Sequence, residues 1–196
     1  MSIIVISILY HGFLLRIINM LIVSKNNNSL NYILEYENKV DENQPIVYIM
    51  VGIPGSGKST WCKTNHPELE VVSRDIIRAE LGYTKDVNNK AILDPAAEQQ
   101  VSNVEQSRIY DLINKCKSGQ IEGFIIDDTN TGKFRKQLIK DLRKNNCYII
   151  GVNMNTPLET CIKRRGGQIP ANVMKRLYNN KKDLQPDEVD EIINVQ

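Results

Sequence analysis

From residue 45 to about 184, short apolar runs alternate with longer stretches whose apolar positions recur at helical spacing. That alternation is the pattern of β-α units around a parallel sheet. The run Ile46-Val47-Tyr48-Ile49-Met50-Val51 has no charged position and is read as a strand buried on both faces. Further strands are predicted near residues 70–72, 122–127 and 147–153, and helices over 58–65, 74–81, 96–118, 131–145, 157–164 and 170–183. Pro95, Pro157 and Pro170 fall near helix starts, where a missing N–H costs nothing. The expected fold class is therefore α/β, a central parallel sheet of four to five strands flanked by helices. No internal repeat is apparent, and residues 185–196 read as an acidic tail.

The first 44 residues do not follow this pattern. Residues 3–23 are mostly apolar but are interrupted by Ser7, His11, Gly12, Arg16 and Asn19. Three readings stand side by side: a membrane anchor with weak association, a strand or helix packed on the core, and translated sequence upstream of a start at Met20. Residues 25–44 are rich in Asn, Lys and Glu and suit a solvated linker, with a short helix open to residues 30–36.

Composition narrows the classes. A chain of 196 residues that is 41% hydrophobic buries one full α/β core and leaves no room for a second catalytic domain. A net charge of +2 is too small for binding nucleic acid by bulk electrostatics, so a polyanion site must be a local cluster. Cys62, Cys116, Cys147 and Cys161 form neither a C-x-x-C pair nor a metal-ligand spacing with His11 or His66. They read as ordinary residues of a reducing, cytoplasmic compartment.

Chemistry enters directly after the first core strand, at Gly52-Ile53-Pro54-Gly55-Ser56-Gly57-Lys58-Ser59. This is the Walker A spacing between a strand and a helix. Its glycines let successive amides converge on phosphate, and the helix N-terminus adds its dipole. Gly52, Gly55, Ser56, Gly57, Lys58, Ser59 and Thr60 are thus expected to bind ATP, with Lys58 bridging the β and γ phosphates and Ser59 ligating Mg²⁺. A plain strand-to-helix glycine turn is the alternative. With this loop the fold class becomes a P-loop NTPase fold.

In open parallel sheets, ligands sit past the carboxyl ends of strands, and three more groups lie there. Ser73-Arg74-Asp75-Ile76-Ile77-Arg78 follows the second strand, with Asp75 and Arg78 on one helix face. Asp75 suits a general base and Arg78 an anion receptor, although capping and a surface ion pair would use the same residues. Asp127-Asp128-Thr129-Asn130 ends the third strand in the place of a Walker B segment: Asp127 could act on Mg²⁺ while Asp128, Thr129 and Asn130 face an acceptor. Arg164-Arg165-Gly166-Gly167 lies between two helices. These arginines could form a short lid over the phosphates, Arg165 supporting catalysis, or could simply end a helix. Lys133, Arg135 and Lys136 make a basic stretch that could meet backbone phosphates or form an exposed face.

Taken together, these segments resemble the phage-type 5′-polynucleotide kinase over roughly residues 46–180. The likeness rests on Gly55 to Trp61, on Arg74-Asp75-x-x-Arg78, on Asp128-Thr129-Asn130, and on Arg164-Arg165-Gly166 with Ile169-Pro170 and residues 174–178. It implies Asp75 as base, Arg78 and Thr129 as acceptor ligands, Asp128 as the residue that orients Arg78, and lid arginines at 164 and 165. The acceptor it implies is a nucleic acid 5′-hydroxyl end. The lid is shorter than the family pattern, and no counterpart of the phage phosphatase domain is present. Two other functions remain open: a P-loop kinase acting on a small molecule or aminoacyl-tRNA, and a nucleotide-dependent switch or anchored scaffold.

Overall fold

A computed structural model describes residues 44–83, 95–129 and 133–196. They belong to the second of two compact units, residues 43–196; the first unit, residues 1–42, lies outside the described part, as does Asn130. The elements follow in the order β1 (Ile46–Val51), α1 (Lys58–Asn65), β2 (Glu70–Val72), α2 (Arg74–Glu80), α3 (Pro95–Lys117), β3 (Gly123–Ile126), α4 (Lys133–Lys144), β4 (Tyr148–Met154), α5 (Leu158–Arg165), α6 (Ala171–Asn180) and β5 (Glu191–Val195).

All five strands pair in parallel in the order β2-β3-β1-β4-β5, so β1 is central; the chain crosses to the edge at β2, returns inward to β3, and then runs outward through β4 and β5 on the other side. Every residue of β1, β3 and β4 is buried, as their largely apolar composition suits in strands covered on both faces. Val47, Ile49 and Val51 of β1 pack with Phe124 and Ile126 of β3, with Ile149 of β4, and with Ile109, Leu112 and Ile113 of α3 in one core cluster. A smaller cluster of Ile53, Cys161 and Met174 seats α5 and α6 beneath the loop that leaves β1. One glycine is obligatory for this sheet: a Cβ on Gly123 would lie 2.3 Å from the carbonyl oxygen of Ile46.

The stretch read as an acidic tail instead supplies the fifth strand. Its acids are used locally. Asp190 accepts from the Ile149 amide at 2.7 Å while its own amide donates to the Ile149 carbonyl at 2.9 Å, and Arg143 of α4 holds the carboxylate with two bonds of 2.6 Å. Asn153, buried in β4, ties in the same segment through the Leu184 amide and carbonyl and the side chain of Asn194. In the basic stretch on α4, Lys136 is exposed but Arg135 is not. Arg135 turns inward, only 6% exposed, and donates to the Lys182 carbonyl at 2.5 Å and to Glu188 at 3.2 Å, so it fastens the segment before β5 rather than facing a ligand.

Removing one partner of a buried ion pair strands the other. Arg135→Met should therefore lower stability by about 3 kcal/mol, read as a shifted urea midpoint. Nucleotide affinity measured below that midpoint should stay within about twofold of wild type.

Candidate active site

Gly55 and Gly57 adopt φ of +82° and +97°, the left-handed conformation that side chains disfavour, and this turns the chain from β1 into the first turn of α1. The loop is also tightly packed. A Cβ at Gly52 would lie 2.5 Å from Ser56 Oγ, and one at Gly55 would lie 2.7 Å from the Cys161 carbonyl oxygen. Neighbours on both sides of β1 hold it: the Gly52 amide donates to the Thr129 carbonyl at 3.3 Å, and the Thr156 hydroxyl donates to the Ser56 carbonyl at 2.7 Å. From α5, Arg164 donates to the Gly55 carbonyl at 3.2 Å.

Lys58 lies along this loop, its Nζ 3.0 Å from the Gly52 carbonyl and 3.4 Å from that of Ile53. Burial pulls its ammonium below the ordinary lysine value, opposed by the charges of Asp127, Asp128 and Asp75, while Arg165 adds to the lowering. Next in sequence, the Ser59 hydroxyl donates to Asp127 Oδ2 at 2.7 Å. Asp127 is 8% exposed, and its amide extends the β2-β3 ladder by donating to the Val72 carbonyl at 2.8 Å.

The cleft above the loop has a volume of about 720 Å³ and runs from Gly55 to Asn65 along α1, with Arg164 and Arg165 on its far wall. The donor chemistry fits a magnesium nucleotide. Glycine-lined close approach, a helix N-terminus, Lys58 and two arginines address the phosphates. A hydroxyl beside a carboxylate is the modest protein contribution that Mg²⁺ takes alongside phosphate oxygens. Two buried atoms of this region, Ser56 Oγ and Arg165 Nε, have no hydrogen-bond partner, as expected where a ligand completes the set.

On the β2 side, Arg74 and Arg78 of α2 reach α3, with Asp75 on the same helix. Arg78 donates from Nη1 to Asp75 Oδ1 at 2.7 Å and from Nε and Nη2 to the two oxygens of Glu98 at 2.7 and 2.9 Å. Arg74 reaches Glu98 at 2.9 Å, Glu105 at 2.7 Å and Ser102 at 3.1 Å. The Asp75 carboxylate is 83% exposed, open to an incoming group, yet near enough for its charge to act on Lys58. Hydrogen bonds from Arg78 and Arg74 hold Glu98 down to about 2, and burial raises Glu105 against the pull of Arg74. Around these two arginines stand four carboxylates: Asp75, Glu98, Glu105 and Asp128.

Of the sequence-nominated residues, Gly55 to Thr60, Arg164 and Arg165 line one cleft, Asp127 joins it through Ser59, and the Asp75–Arg78 pair stands on α2, where the charge of Asp75 acts on Lys58. Asp128, expected to orient Arg78, acts on that guanidinium through its charge. Its Oδ1 accepts from the Thr129 amide at 2.7 Å, and its other oxygen lies 3.9 Å from Arg74 Nε, whereas the carboxylate bonded to Arg78 across the helices is Glu98. Glu98, Glu105 and Thr156 were not singled out from sequence. Thr156 was within reach of the strand-end rule, two residues past β4; the two glutamates sit inside a polar helical run without a motif.

The fold and loop define a P-loop NTPase domain. Residues 47–179 match the family model described as the AAA domain, and the chain belongs to that family. Among solved structures, it is similar to a chain of the Pnkp1/Rnl/Hen1 RNA repair complex, at 21% identity and a TM-score of 0.57 over 74% of this chain and 46% of that one. A second structure of the Pnkp1/Rnl/Hen1 complex gives 24% identity and a TM-score of 0.51 over 65% and 41%. A sugar kinase from Janibacter sp. HTCC2649 gives 18% identity and a TM-score of 0.51 over 78% and 84%. The chain spans less than half the length of the two repair-complex chains, and at these identities the likeness is one of fold. Among the described residues, no helix is long and apolar enough to cross a membrane.

Gly55→Ala forces a Cβ into a left-handed residue and against a carbonyl, so it should weaken MgATP binding about tenfold or more, measured by calorimetry. Glu98 gives a pH signature. Its carboxyl is lowered from 4.5 to about 2, so its contribution to stability is complete above the unfolded value and is lost as pH falls through that window. Wild type should lose up to about 2 kcal/mol more than Glu98→Gln between pH 5 and pH 2.5, after allowance for solvent screening. Parallel urea melts at the two pH values measure the difference.

Proposed function

We propose that this chain is an ATP-dependent phosphotransferase whose acceptor is an alcohol, most specifically the 5′-hydroxyl of a polynucleotide. The observation that carries the reading is the 2.7 Å pair of Asp75 and Arg78, a proton acceptor joined to an anion receptor, with the Asp75 charge acting on Lys58 of the loop. A sugar alcohol asks for the carboxylate alone. A hydroxyl that sits beside a phosphodiester asks for both groups, with the cation a few ångströms from the base.

In this reading the loop from Gly52 to Thr60 holds the triphosphate, and Ser59 and Asp127 hold Mg²⁺. Bound MgATP supplies the transferable phosphoryl group and the countercharge that lets it react. The chain's own residues do the rest. Lys58 and Arg165 set positive charge along the phosphates, and Arg164 keeps the lid helix on the loop. Arg78, Thr129 and Asn130 seat the acceptor, Asp128 orders the turn that carries Thr129, and Asp75 takes the hydroxyl proton. The fold-level likeness to chains of an RNA repair complex supports trying nucleic acid ends first, and the sugar kinase likeness makes small alcohols the necessary comparison.

Transfer of labelled phosphate from ATP should be measured with 5′-hydroxyl DNA, 5′-hydroxyl RNA, tRNA and a set of sugars. Polynucleotides should label, and Asp75→Asn should lower that rate at least about 100-fold while leaving ATP affinity within about twofold. Labelling of sugars alone would overturn the polynucleotide assignment. Undiminished transfer by Asp75→Asn would overturn the base.

A further inference from the structure

Arg78 carries a long side chain on the short helix α2, and such a guanidinium samples many rotamers unless something fixes it. Here the fixing group comes from the first turn of α3, twenty residues further along the chain. Glu98 accepts from Nε and Nη2 at 2.7 and 2.9 Å, the side-on fork in which a carboxylate sets both the plane and the rotation of an arginine. The same Glu98 carboxylate takes Arg74 Nη2 at 2.9 Å, and Arg74 is held in turn by Ser102 and Glu105. A guanidinium has five N–H donors. Two go to Glu98 and one to Asp75, leaving two for a further anion.

We propose that Glu98 is a positioning residue of the acceptor site: it fixes the guanidinium of Arg78 so that one edge is spent, Nη1 meets Asp75, and the remaining donors are presented to the acceptor's phosphate. This rests on the reading of Arg78 as acceptor ligand and Asp75 as base. Glu98 touches neither substrate and acts only through its arginines. Its loss frees the side-on edge of Arg78, which can then turn that stronger fork onto Asp75 and withdraw donors from the acceptor at the same time.

The test uses the full chain with ATP and a 5′-hydroxyl DNA oligonucleotide. Glu98→Gln and Glu98→Ala should raise the acceptor KM about tenfold or more, Gln less than Ala because its carbonyl keeps one bond, with the KM for ATP within about twofold. In an Arg78→Ala background, Glu98→Ala should add less than about twofold, because the residue through which it acts is gone. A structural role would instead add its full cost there and would move both KM values. Should Glu98→Ala fail to fold, the Gln variant carries the comparison. A second readout needs no turnover: the Arg78 Nε–H signal in ¹⁵N spectra, identified by its absence from Arg78→Lys, should be sharp in wild type and exchange-broadened in Glu98→Gln. An Arg78→Ala variant that raises the acceptor KM while Glu98→Gln leaves both KM and signal unchanged would overturn the role of Glu98. An Arg78→Ala variant with an unchanged acceptor KM would instead overturn the reading on which it rests.

Discussion

Ser59 and Asp127 stand 68 positions apart and meet at 2.7 Å, and the site is organised around that meeting. It requires that β1 and β3 be neighbours in parallel register, so that the glycine loop leaving one strand opens beside the acid ending the other. The register is protected by the close approach at Gly123 and by unbroken burial of both strands, which leaves no polar face on which a slipped pairing could settle. With the central strand flanked by β3 and β4, the crevice opens where the chain switches sides, and each functional group arrives on a separate strand end.

Around that centre the charges are divided. The loop side gathers cations, Lys58, Arg164 and Arg165, over backbone donors, which suits a polyanionic ligand. The α2-α3 side sets two arginines among four carboxylates, so it offers directed donors rather than an excess of positive charge. An acceptor bound there, as proposed, would be selected by geometry more than by long-range attraction, in keeping with the small net charge of the whole chain.

How much of this was legible in the sequence follows from how local each signal is. Four strands and the six described helices could be placed because periodicity is a property of adjacent residues, and the glycine loop because its backbone demands fix residue types at fixed spacing. β5 was missed because Ile192, Ile193 and Val195 are a short apolar run after a series of acids, and one of these, Asp190, serves as a strand clamp only once Arg143 and the Ile149 amide are opposite it. Arg135 misled for the converse reason: one helix face gives it a basic neighbourhood, yet Lys182 and Glu188 fill its inner side. Glu98 pairs with α2 across twenty residues, and nothing in its own segment marks it apart from other exposed helical acids.

The two tethers of the glycine loop, Gly52 to the Thr129 carbonyl on one flank and Thr156 to the Ser56 carbonyl on the other, have a thermodynamic consequence. They hold the phosphate cradle in shape before anything enters it, so docking there forfeits little chain entropy and can be fast and strong for a small contact area. They also join the strands on either side of the cradle into one mechanical unit. Strain applied at one flank would reach the other through the loop's own backbone rather than by diffusion through a soft segment.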